Sequence, residues 1–108
     1  MMAIQSNIIG KWQSIDDQKF TREFQPDFEV VDTYDGIPDT GIWTVYTGAY
    51  APNEATFPVE LDAGYIQLTF AEEEGIMKLN FKVEKLTPEE LELTYMERGN
   101  ILRFSRVQ

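Results

Sequence analysis

A chain of 108 residues has room for one hydrophobic core and is read as a single domain over residues 1–108. Nineteen acidic residues against nine basic give a net charge of −10 with no Lys/Arg stripe, which argues against a phosphate track for nucleic acid or an anionic membrane surface. The absence of both Cys and His excludes disulfides, thiolate nucleophiles, Cys/His zinc sites and every Ser-His or Cys-His dyad, so no catalytic residue, metal site or cofactor is assigned.

The opening MMAIQSNIIGKW carries no basic n-region and no long apolar run, and nothing further on approaches membrane-spanning length. The chain as written is expected to be cytoplasmic, or periplasmic or cell-surface where an export signal has been removed. Strands are predicted at 9–15, 19–25, 29–35, 41–47, 57–61, 64–70 and 76–85, and over 90–107 split at a turn. The inward positions follow period-2 alternation. IMKLNFKVEKL sets Met77, Leu79, Phe81 and Val83 on one face and Lys78, Asn80, Lys82 and Glu84 on the other. The same reading turns Phe57, Val59 and Leu61 inward, then Ile66, Leu68 and Phe70, Leu91, Leu93 and Tyr95, and finally Leu102 and Phe104. No 3.6-residue stripe stands out, and the one helix-like fragment is the single turn TPEE at 87–90.

The second hairpin fixes a register. In REFQPDFEVVD, Pro26 and Asp27 suit the centre of a type I turn, and a G1-bulge closure then wants φ > 0 at Phe28. Gln25 opposite Glu29 places Phe24 across from Val30, Arg22 across from Asp32 and Phe20 across from Tyr34. If the aromatics point inward, an Arg/Asp pair points inward with them. Eight or so short antiparallel strands in meander order, each apolar on one face, must close to hide their edges; an all-β, up-and-down barrel is the simplest solution.

Gly10-x-Trp12 on the first strand, the meander, and an Arg on the last strand resemble the structural signature of lipocalins and the wider calycin group. The pattern GKWQSIDD, REFQPDFEVVDTYDG, GIWTV, LTPEELELTY, ILRFSRV is similar, more specifically, to small lipocalin-like bacterial proteins of unknown function. The resemblance implies that Trp12 packs inside the closed end and that an Arg of the final strand lies across its ring. Arg106 fits by parity and direction, and Arg103 fits less well.

Two constellations point toward function. Arg22 with Asp32, Tyr34 and Trp43 could line the open end, where Arg22 is a bidentate anchor for a carboxylate or similar group of a small hydrophobic or amphipathic ligand, Asp32 holds its fork and Tyr34 donates beside it; the alternative is a self-satisfied cross-strand ion pair. The aromatics Trp12, Trp43, Phe70, Phe81, Tyr95 and Phe104 read as core rather than a ligand box, since side chains just fill an eight-stranded barrel. The carboxylate runs at Asp16-Asp17, Glu72 to Glu74 and Glu89-Glu90 read as solvated turns. On the outside, Val31, Thr33, Ile42, Thr44 and Tyr46 present apolar and β-branched side chains to water. A homodimer through Val31, Ile42 and Tyr46 would cover them, and so would the 46–58 loop folding back. The sequence therefore supports a ligand-binding barrel or, alternatively, a protein-interaction or homo-oligomerising module with a filled barrel; an enzyme is not expected.

Overall fold

The computed structural model describes residues 2–53 and 55–108. A short helix α1 (Met2–Asn7) precedes eight strands: β1 (Gly10–Ser14), β2 (Phe20–Phe24), β3 (Glu29–Tyr34), β4 (Ile37–Thr47), β5 (Gly64–Glu72), β6 (Gly75–Leu86), β7 (Glu90–Tyr95) and β8 (Ile101–Arg106). Each strand pairs antiparallel with the next, and β8 returns to pair with β1, so the sheet closes in chain order. Closure leaves no free outer strand, the liability that otherwise invites edge-to-edge association, although residues 37–41 of β4 and 75–79 of β6 run past the ladders of β5 and β7.

The period-2 pattern carries most of this. Ile66, Leu68 and Phe70, Leu91 and Leu93, Phe81 and Phe104 are all buried as the alternation requires, in one cluster with Trp12, Phe24, Val30 and Trp43. The β2–β3 hairpin has the register read from the sequence: Phe28 stands at φ 67, and Arg22 pairs with Asp32, Phe20 with Tyr34. The β3–β4 connection is tighter than expected. Asp35 at φ 52 and Gly36 at φ 83 form the two-residue turn that an Asp-Gly pair favours. Tyr34 thus pairs with Ile37, and β4 begins at Ile37 rather than at 41. The second Gly-x-Trp, Gly41 to Trp43, accordingly lies inside a strand rather than at its start.

Two expectations are corrected. Residues 57–61 are not a strand, and Leu61 is 71% exposed rather than inward. Residues 60–63 instead return to Gly48 and Ala49 and strap the outer face of the sheet at Tyr65 and Lys82. The Gly48 and Ala49 amides donate to the carbonyls of Ala63 and Leu61 at 3.1 Å, and the Glu60 amide donates to the Tyr65 hydroxyl at 2.9 Å. Glu60 also pairs with Lys82, and that hydrogen bond raises the lysine's pKa. This strap explains why Tyr65, an outward-facing residue by parity, is almost fully buried. The other correction is α1 itself, where Ile4 and Ile8 one turn apart supply apolar contact, Ile8 being wholly buried. TPEE is the single turn between strands that the sequence predicts, closed by the Thr87 amide donating to the Glu90 carbonyl, with Glu90 already in β7.

Chain direction defines two ends. The near end carries α1, the Gln25–Phe28 turn, the strap and the 87–89 turn. The far end carries the connections at 15–19, 35–36, 73–74 and 96–100.

Candidate functional site

Across the β2–β3 pair, Arg22 Nε donates to Asp32 Oδ1 at 2.7 Å and Nη2 donates to Oδ2 at 2.9 Å. This is the bidentate fork that a guanidinium and a carboxylate form when both are held. Arg22 is only 3% exposed. Its guanidinium carbon lies 4.7 Å from the ring centre of Phe81, 5.3 Å from Phe20 and 5.8 Å from Phe104. Desolvation of the cation is offset by the carboxylate and by the ring faces, each worth about 1–2 kcal/mol when water is excluded. The third nitrogen is not so provided for. Nη1 is buried and has no hydrogen-bond partner among the described residues. A buried donor left unmade costs roughly 1–3 kcal/mol, and more on a charged group.

The strands set the depth of this group. Arg22 lies two residues, about 7 Å, from the far-end start of β2 at a strand rise of roughly 3.3 Å. The rim pair above it is Phe20 with Tyr34, Tyr34 being 53% exposed. Phe20, Leu79, Tyr95 and Leu102 are each half-buried against the core. Tyr95 stacks on Phe81 at 5.3 Å, and Phe20 tilts on Phe104 at 5.8 Å. Of the four residues singled out for a ligand, Arg22 and Asp32 are bonded and Tyr34 stands at the rim. Trp43 is not with them. It packs edge-on to Phe24 at 5.4 Å and beside Phe28 at 5.1 Å, and its indole N–H donates to the Gln25 carbonyl, all around the turn at the near end.

A second arginine stacks on a ring at that near end. Arg106 lies 4.2 Å over Trp12, which is wholly buried. All three of its nitrogens donate to carbonyl oxygens: Nε to Pro88 at 2.6 Å, Nη1 to Ile9 at 2.8 Å and Nη2 to Asn7 at 2.7 Å. Trp12 donates in turn to the Ile8 carbonyl at 2.9 Å. Gly10 makes room for this, since a Cβ there would stand 2.5 Å from Arg106 Nη1. The arrangement ties α1 and the 87–89 turn to the last strand. Beside it is a cleft of about 690 Å³ lined by Asn7, Ile9, Leu86, Glu89 and Arg106 among others.

On the outer face, the side chain of Tyr46 stacks flat on Tyr65 at 5.3 Å and its hydroxyl donates to Asn80 Oδ1 at 2.8 Å. Asn80 is nearly buried because Gln67 also donates to it and Glu97 accepts from both its amide and its side chain. Tyr46 is thus engaged within its own chain. Ile42 remains 53% exposed and, with Ile76, borders a groove of about 350 Å³. Among the described residues, no three carboxylates converge as a metal site.

No family model, no curated protein and no solved structure matches the chain. Three features of these sites escape a reading of the sequence alone: α1, the strap, and the hydrogen bonding of buried Asn80 to exposed Glu97. The first had a signal in the Ile4/Ile8 spacing; the other two depend on where a loop lands.

Proposed function

We propose that this chain is a non-catalytic, lipocalin-like barrel of the calycin type that takes a small, partly apolar ligand at its far end. Arg22 is the anchor, Asp32 holds the guanidinium's orientation, and Tyr34 stands at the rim. The observation that carries this reading is the buried Arg22 Nη1 without a partner. A purely structural ion pair gains nothing by leaving a charged donor unmade, whereas a ligand acceptor would complete it. Support for the family comes from the closed eight-strand meander and from Arg106 lying over Trp12. The lack of His and Cys supports binding rather than catalysis.

Native mass spectrometry of the protein purified from its own host tests the reading. The expected spectrum shows a bound mass that is lost in Arg22→Met. A bare chain in both would overturn it. A second reading, docking of a second copy through the outer face, is favoured by the exposure of Ile42 and Ile76 beside the groove. The same spectrum reports it as a dimer.

A further inference from the structure

The chemical class of the ligand can be narrowed by charge; this step rests on the binding reading above. Arg22 is already neutralised, because both oxygens of Asp32 hold it. A carboxylate ligand would bring a second anion to one guanidinium. It would also approach Asp39, the cross-strand partner of Asp32 on the neighbouring strand. The approach is no kinder: the connections at the far end, 15–19, 35–36, 73–74 and 96–100, hold six acidic residues against two basic. Like charges around a low-dielectric entrance repel an anion before it arrives and after it binds. The free Nη1–H, however, still asks for an acceptor, and the surfaces around it are the rings of Phe20, Phe81 and Phe104.

We infer that the ligand is uncharged: a flat, mainly apolar molecule whose carbonyl oxygen accepts from Arg22 Nη1. A neutral carbonyl satisfies the donor without adding charge, and an apolar body matches the rings that enclose it; Phe20 is half-buried at the rim while Phe81 and Phe104 are closed to solvent, so entry requires Phe20 to move aside.

Three naphthalenes that differ in one substituent test this: 2-acetylnaphthalene, 2-naphthoate and 2-methylnaphthalene. Each is titrated into the full chain while the Arg22 Nε–H and the two indole N–H signals are followed by nuclear magnetic resonance. The ketone is expected to bind at least about tenfold more tightly than either of the others, the factor that one hydrogen bond to a charged donor supplies. It should also shift the Arg22 signal more than either indole. In Asp32→Asn, which removes the neutralising charge and keeps an acceptor, the preference for ketone over naphthoate should shrink or reverse. Naphthoate binding as tightly as the ketone to the parent chain would overturn the inference and leave the binding reading standing. Failure of all three to move the Arg22 signal would overturn both. The parent's ranking decides alone should Asp32→Asn not fold.

Discussion

Two arginines flank Trp12 on adjacent strands, Arg22 as its partner on β2 and Arg106 as its partner on β8. Both lie over aromatic rings, yet their polar surroundings differ. Arg106 is half-buried and each of its three nitrogens meets a backbone carbonyl. Arg22 is almost wholly buried, meets one carboxylate and keeps one nitrogen without a partner. The first arrangement fits a latch: carbonyls cannot move far, and each bond fixes a separate piece of backbone. The second is the one proposed as a receptor, because the remaining donor sits on a guanidinium oriented by Asp32 and has no partner among the described residues. Ring stacking is common to both, so the unmet donor is what separates them and what the proposed binding reading rests on.

Breaking the shared ring should have the largest effect. Trp12→Ala is expected to cost about 3–5 kcal/mol, since it deletes a fully buried indole and the surface on which Arg106 rests. Urea unfolding that matched the parent would show that Trp12 is not part of the core. Next comes Arg22→Met, which leaves the Asp32 carboxylate facing apolar neighbours. About 3 kcal/mol is expected, the lower end for a broken buried pair because Asp32 is 18% exposed. Replacing both, as Arg22→Met with Asp32→Leu, should recover most of that loss, and additive costs in the double-mutant cycle would mean the two do not interact.

Arg106→Ala sharpens the contrast. It removes the cation–π contact and three hydrogen bonds, but water reaches the freed carbonyls at a half-buried position, so about 2 kcal/mol is expected. Hydrogen exchange should locate the damage. The Ile8 amide, which donates to the Ile4 carbonyl at 3.0 Å, should exchange faster in Arg106→Ala and remain at the parent rate in Arg22→Met under native conditions. Equal acceleration in both would erase the distinction between latch and receptor. The smallest effect belongs to Ile42→Glu, remote from both arginines, where stability should stay within about 0.5 kcal/mol. Sedimentation of parent and variant would then report any dimer on the outer face without a folding artefact.

Much of this was legible in the linear chain because β-structure writes its two faces as alternation. The β2–β3 hairpin is the clearest case: Pro26-Asp27 chose the turn, the turn chose the register, and the register brought Arg22 to Asp32 without any knowledge of the other strands. Asp35-Gly36 carried an equally local signal and sets where β4 begins. Arg106 could be placed against Trp12 because closure of an antiparallel meander forces the last strand against the first.

What the sequence determined by itself, then, is what depends on local backbone preference and parity: most of the strands and their inward residues, the β2–β3 turn and the Arg22–Asp32 pairing. Only the tertiary structure decided that Trp43 belongs to the near end and not to Arg22, because parity fixes the side of the sheet and not the height along the barrel. Likewise only the fold shows that residues 57–61 leave the sheet for the strap, where Tyr65 and Lys82 hold Glu60. Above all, the unmet donor of Arg22 is a property of three-dimensional neighbours. Whether a buried nitrogen finds an acceptor is settled by side chains distant in the chain, Phe81 and Phe104 among them, and no local pattern records it.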